Sequence, residues 1–476
     1  MKKLLRLKIM HIQNQKGIMP LIIILLVVAV LIIGGGAAYY FLATQNASII
    51  FTASNNSAIT QSVNKSFKSR PKILSKKIAT VPMNHETHNF EHLTFSNDRS
   101  RVAYEAYEGM SAFMVIDGQE SERYDSIPQY AFSHDGKRFA YSAEKEEKVL
   151  VFLEGNKGKE YDSIGSFVFS SDNKQQAYPA KINNKWLMVV NEVESEFYDY
   201  VELPTFSYDS GQFAYVAQKE GKSFIILNGR EYANYPRVFS LKFSPDSRHL
   251  AYTAGEEVGK FVGLDEKKYS NYHSINWLSF SPDSKQLAYA AYKDSKEFTV
   301  FNETEHEPYG SSVSISIFSP DSKHFAYRVA GNEHFMIRDN DIEKSYDSIL
   351  LNTIVFSPDS GQLVYAAQKD RKWILVTDGQ EGVPYDYVDF PVFSYDGKYL
   401  AYFAQRNGND FIVLNGKEGR NLDYITAPRF SSDGKNLIYG ARNGNDLWRI
   451  VEEVDKFGII DPITGETFLE NNTNEN

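Results

Sequence analysis

The 476-residue chain contains no cysteine. Disulfides, thiolate metal sites, cysteine nucleophiles and an acylated lipoprotein cysteine are therefore excluded. Tryptophan is scarce, at 4 residues against 31 Tyr and 32 Phe. Such a bias toward Tyr and Phe suits strands, whose pleated surfaces accept flat side chains. The first 85 residues lack Asp and Glu altogether but hold eleven Lys and Arg; the remaining 391 carry 61 acids against 40 bases, a net of −21. A body that acidic repels polyanions, which argues against a nucleic-acid partner. Also missing are a G-x-S-x-G elbow, a Walker-type loop and a dinucleotide fingerprint. No cofactor is implied.

One long apolar run is present. Ile18 to Leu42 reads IMPLIIILLVVAVLIIGGGAAYYFL, 25 residues without a charge, enough to cross a bilayer as a tilted helix. Lys2, Lys3, Arg6, Lys8 and Lys16 precede it. The positive-inside bias places 1–17 in the cytoplasm, 18–42 in the membrane and the rest outside, a single-pass cell-membrane protein. Residues 43–85, rich in Ser, Asn, Thr and Lys, read as a flexible extracytoplasmic stalk. A cleaved signal peptide, with Gly34–Ala38 as its small-residue region, is an alternative. A pilin-like leader ending at Lys16-Gly17 is another, although Ile22 stands where that family places a Glu.

Beyond the stalk the chain repeats. Phe95, Phe132, Phe169, Phe206, Phe243, Phe280, Phe318, Phe356, Phe393 and Phe430 each open an F-S-x-D motif, at a near-constant spacing that marks a repeat architecture. One period, from Pro391 to Pro428, holds four strand signals. P-V-F-S is followed by a Tyr395–Lys398 turn, a strand over 399–404, a polar loop, F-I-V-L, the favoured hairpin turn Asn415-Gly416 and a strand over 417–424. Four antiparallel strands in so few residues predict one propeller blade. The fold class is all-β: a propeller of about ten four-stranded blades over 86–455, preceded by the transmembrane helix and followed by a tail, 456–476. No linker or phase break separates the repeats, which favours one large ring over two smaller ones. Phe457 to Ile460 could add a closing strand.

The repeat, F-S-P-D-S-K-x-L-A-Y at Phe280–Tyr289 with near copies in all ten periods, resembles the WD-type repeat of the bacterial TolB-like β-propeller family. The terminal Trp-Asp and structural His of true WD repeats are absent. The resemblance implies a fold and leaves function open, because such propellers serve as scaffolds, binding modules and enzyme lids.

Candidate residues follow from what the repeat does and does not explain. Asp135, Asp246, Asp283, Asp321 and Asp359 recur at a tight turn, where Ser and Asp side chains bond to backbone. His85, His88 and His92 cluster at the stalk junction with metal-like spacing. Asn407–Asp410 and Asn443–Asp446 resemble calcium loops in composition without the full ligand set. Trp186 and Trp373 occupy equal offsets and read as packing. The sharpest candidates are Asp125, Asp162, Asp199, Asp347 and Asp386 of Y-D-x-[IV], placed where each blade connects to the next. Their side chains either bond to connector backbone or form an incomplete acidic ring around the funnel, with the Ile or Val plugging between blades. The expected activity is non-catalytic binding or scaffolding of a protein or peptide. The alternatives are a propeller enzyme acting on surface polysaccharide or peptide, and a subunit of a pilus-like or secretion assembly.

Overall fold

The computed structural model describes residues 75–81, 93–256, 259–269, 271–306, 312–458 and 463. The expected transmembrane segment and His85, His88 and His92 lie outside them. Among the described residues no helix is long and apolar enough to cross a membrane. They fold into ten antiparallel sheets, with two short 3-10 turns, Leu351–Thr353 and Val454–Lys456, as their only helical elements. Each sheet is one blade. In the sixth, Ser274–Phe280 is the inner strand, followed outward by Leu287–Lys293, Lys296–Phe301 and Thr304–His306.

Burial explains the composition of these strands. Leu287, Ala288, Tyr289, Ala290 and Ala291 are all buried, as they must be in a sheet covered on both faces by its neighbours. The short run of apolar residues is therefore continuous rather than alternating. Ten apolar clusters fill the gaps between blades. One packs Ala251 and Val262 of the fifth blade against Phe280, Leu287 and Tyr289 of the sixth. Another packs Leu447 of the tenth against Phe95, Val102 and Phe113 of the first. The blades thus close into a single ten-bladed propeller.

The tyrosines belong to these seams. The connector Tyr, which belongs to Y-D-x-[IV] in four of these cases and precedes His273 in the other, meets a second-strand Tyr of the next blade: Tyr161 with Tyr178, Tyr198 with Tyr215, Tyr272 with Tyr289, Tyr346 with Tyr365 and Tyr385 with Tyr402, at ring-centroid distances of 6.0–6.4 Å. Each pair is edge-to-face, the arrangement ring quadrupoles favour. The Ile or Val three residues after the connector Tyr is buried in the same seams, as at Ile127, Val201, Ile275, Ile349 and Val388.

Closure differs from expectation. The outermost position of the tenth blade is filled by Lys76–Thr80, which pairs antiparallel with Asp446–Glu453, Thr80 opposite Asp446 and Lys76 opposite Arg449. The Thr80 hydroxyl donates to Asp446 at 2.7 Å and the Lys77 ammonium at 3.3 Å. Five residues read as stalk therefore belong to the ring. Phe457 does not extend a strand; it is buried in the cluster between the ninth and tenth blades. The physical reason is the exposed edge: without a fourth strand, 446–453 would present unpaired N–H and C=O groups.

Arginines complete the junction. Arg99 donates to the Ala427 carbonyl at 2.9 Å, Arg449 to the Asp98 carbonyl at 3.0 Å, and Arg429 to the Asn97 carbonyl. Gly440 lets the Phe95 ring approach: a Cβ there would lie 2.7 Å from it. Gly440→Ala should destabilise the fold by about 1–3 kcal/mol, as overpacking does. Phe95→Leu should relieve part of that loss in the double variant. Denaturant midpoints measure both, and an undiminished loss in the double variant would assign the clash elsewhere.

Candidate functional site

The two faces of the ring are built differently. On one lie the turns between first and second strands. In every blade the serine of F-S-x-D donates to the Asp carboxylate two residues on, at 2.5–2.7 Å. The same Ser281 hydroxyl accepts the Gln286 N–H at 3.0 Å, and Asp283 accepts the Lys285 N–H at 3.1 Å. All ten carboxyls lie below the ordinary aspartate range. At Asp283 the chief cause is the Ser281 hydroxyl, then the Lys285 N–H. At Asp396 it is the Lys398 ammonium, which with Ser394 brings the value to about 2. Asp135, Asp246, Asp283, Asp321 and Asp359 are accordingly turn residues.

The residue after each of these aspartates has positive φ: 61° at Ser210, 62° at Ser247, 64° at Ser284, 62° at Ser322 and 65° at Ser360. Serine is tolerated there because its hydroxyl accepts the backbone N–H of the preceding blade's Asp. The series runs Asp172 to Ser210, Asp209 to Ser247, Asp246 to Ser284, Asp283 to Ser322 and Asp321 to Ser360, at 2.9–3.0 Å. Asn173 does the same for Asp135 at 3.1 Å. A girdle of turn-to-turn bonds thus joins the second blade through the eighth.

The opposite face carries the second loops and the blade connectors. Asp125, Asp162, Asp199, Asp347 and Asp386 all stand there, immediately before or at the start of an inner strand. Each uses one carboxylate oxygen to accept an N–H of its own blade's second loop: Glu146, Asn183, Glu220, Asp370 and Asn407, at 2.6–3.0 Å. Asp423 does so for Gly444 at 2.7 Å. The Asn407 and Asn443 loops are thereby hairpin turns tied by an aspartate. Among the described residues no group of three or more His, Asp or Glu is placed to hold a metal ion.

Three of these carboxylates also take a lysine from the preceding blade. Lys148 reaches Asp162, Lys185 reaches Asp199 and Lys372 reaches Asp386, each at 2.5 Å. The lysine ammonium is the first cause, and the loop N–H the second, of the lowered pKa of Asp162, Asp199 and Asp386. This pairing was missed from sequence, although its constant spacing of 14 residues stands in the chain.

The inner strands line the channel and are irregular. Register shifts interrupt them at Glu202/Thr205, Asn276/Ser279 and Asp389/Val392. Leu203, Trp277 and Phe390 sit in these bulges at φ 55°, 59° and 52°, a strained region for large side chains. Trp277 is 47% and Phe390 41% exposed. Asp389 is buried and props its bulge, accepting from Asn352, Tyr387 and the Phe390 N–H at 2.7–3.0 Å. Pro128, Pro204, Pro391 and Pro428 all lie in this inner layer, as expected of an unpaired edge. Trp186 and Trp373 instead pack edge-to-face on Tyr200 and Tyr387 of the next blade.

No protein-family model matches the chain, and no curated protein matches it. Among solved structures it is similar to one titled "Crystal structure of the eukaryotic initiation factor", at 13% identity over 67% of this chain and 96% of that one, with a TM-score of 0.43. It is also similar to one titled "Kuenenia stuttgartiensis Hydrazine Synthase", at 16% identity over 52% and 96%, with a TM-score of 0.29. Neither likeness bears on what this chain binds.

The turn aspartates set an acid limit. Their folded pKa values lie below the unfolded value of about 3.9, so their stabilisation is present above that pH and is lost as pH falls through the folded values. Melting temperature should be flat from neutral pH to about pH 5 and fall steeply between about pH 4 and 2. Circular dichroism across that range tests it, and a protein equally heat-stable at pH 2 and pH 6 would contradict the assignment.

Proposed function

We propose that this chain is a membrane-tethered, extracytoplasmic propeller that binds a protein or peptide partner without catalysing a reaction. In this reading 1–17 are cytoplasmic, 18–42 span the membrane and the propeller stands outside. The likeness of its repeats to TolB-like propellers supports a binding or scaffold role, and the acidic body disfavours nucleic acid.

The observation that carries the reading is the division of labour between the faces. One face uses its turn side chains on the frame itself, through the serine–aspartate bonds and the girdle between blades. The other holds second loops of unlike sequence, such as Glu144–Lys148, Ala291–Lys296 and Gln405–Asp410, above a channel with exposed aromatic side chains. Varied loops on a constant frame are the usual place for recognition.

Protease added to intact cells expressing the chain should remove the propeller and leave the N-terminal segment; a fully protected propeller in protease-permeable envelopes would contradict the topology. Replacing Asp125, Asp162 and Asp386 together by Asn should weaken partner capture and its salt dependence. Capture that is unchanged there but abolished by substitutions on the serine–aspartate turns would place recognition on the other face.

A further inference from the structure

Three arginines at the ring closure converge on one turn without an ion pair. The carbonyls of Ser96, Asn97 and Asp98 follow one another in the first blade, and each accepts from a different guanidinium. Arg99 reaches Ser96 at 3.1 Å, Arg429 reaches Asn97, and Arg449 reaches Asp98 at 3.0 Å. Arg99 also donates to the Ala427 carbonyl of the tenth blade at 2.9 Å. Among the described residues these are the only hydrogen bonds of the three side chains, although each guanidinium carries five N–H donors. Elsewhere on this face arginines meet carboxylates: Arg101 with Asp117, Arg138 with Glu154 and Arg338 with Asp378. Asp98 makes no such pair; it accepts from the Ser96 and Ser100 hydroxyls, at 2.7 and 2.8 Å, and from the Ser100 N–H at 3.0 Å.

Arg99 is also the odd member of its series. The residue after the turn aspartate is Ser, Gly or Asn in the other nine blades and Arg only here. It is held at φ 59°, a region that disfavours long side chains. It has no oxygen with which to accept the Asp433 N–H, as Ser210 accepts that of Asp172. Its Nε is buried without a hydrogen-bond partner. Burial, and then the charge of Arg429, lower its pKa. The charge of Asp98 acts on Arg99 and Arg449, but one carboxylate cannot balance three guanidiniums. Strain kept at one place beside a surplus of like charge calls for a counter-ion.

We propose that Arg99, Arg429 and Arg449 form a site for one tetrahedral oxyanion, a phosphate group either free or carried on a small molecule, and that this site exists only when the first and tenth blades meet. Guanidinium forks match the oxygens of a phosphate in pairs. The three side chains are half-buried, and Asn97, Asp98 and Ser100 of the turn are exposed, so an ion enters from solvent. The body's net −21 repels an extended polyanion and selects a compact occupant. Arg99 comes from the first blade and Arg429 and Arg449 from the tenth, so a bound ion ties the seam that joins the two ends of the ring. The site lies on the serine–aspartate face, opposite the loops assigned to partner recognition, and does not depend on that assignment.

Thermal unfolding of the full-length chain in detergent tests the site. Inorganic phosphate at about 10 mM should raise the melting temperature by several degrees, and sodium chloride of equal ionic strength should not, because a ligand of the folded state stabilises it. Calorimetric titration should give one phosphate per chain, bound more weakly as chloride rises. Glycerol 3-phosphate binding more tightly than inorganic phosphate assigns the site to a carried phosphate, and weaker binding to the free ion. Arg429→Gln and Arg449→Gln should each weaken binding about tenfold or more. Arg99→Ser decides the matter, since it supplies the hydroxyl that Ser210 uses in its blade. It should melt in chloride no lower than the parent, yet bind phosphate about tenfold more weakly or worse. Lys285→Gln, on the sixth-blade turn, should change nothing. Hydrogen exchange should show phosphate slowing the amides of Lys76–Thr80 and Asp446–Glu453 most. No binding, equal stabilisation by phosphate and chloride, an Arg99→Ser variant that binds like the parent, or protection confined to other blades would each overturn the proposal.

Discussion

Ten radial sheets make a ring only if the tenth meets the first, and the constraint on this chain is that meeting. Every other seam joins blades that follow one another in sequence. The last joins groups some 370 residues apart, with Thr80 bonded to Asp446 across 366 positions. Closing so long a loop has an entropic cost that grows only slowly with length. It is offset by an apolar cluster drawn from both ends, by strand pairing, and by three arginines that reach backbone carbonyls across the junction.

Within the ring, repetition divides side chains by role. Alanine and tyrosine fill the seams, serine and aspartate hold the turns, and aspartate or asparagine at the third turn accepts the first N–H of the second strand, as Asn228 does for Phe213 at 2.9 Å. What is left over is informative because the background is so regular. An exposed tryptophan at positive φ, as at Trp277, stands out against side chains that the frame accounts for.

Much of the fold could be read from the chain because each blade is a local object. Its strands are consecutive, its turns use residues with strong φ preferences, and the period is nearly constant. Asn415-Gly416 and Ser-Pro-Asp-Ser announce their own geometry. The closing strand could not be read this way: Lys76–Thr80 carries two lysines and one buried residue, and only its distant partner makes it a strand. The candidate aspartates can be set at the blade connectors from the repeat alone. Their bonds to loop N–H groups and to lysines depend on how adjacent blades stack, which no single period contains. The bulged aromatics were hidden for a related reason, since a strand sequence does not show which residue will be pushed to positive φ.

The position of the closing strand has a mechanical consequence. Lys76–Thr80 is at once the outermost strand of the tenth blade and the first described segment of the chain. Any tension entering from the N-terminal side is therefore borne first by the ladder between this strand and Asp446–Glu453, before it reaches another blade. The joint that closes the ring and its point of loading coincide. A pull strong enough to strip that strand would leave the other nine blades their own local pairings while baring the edge of the tenth.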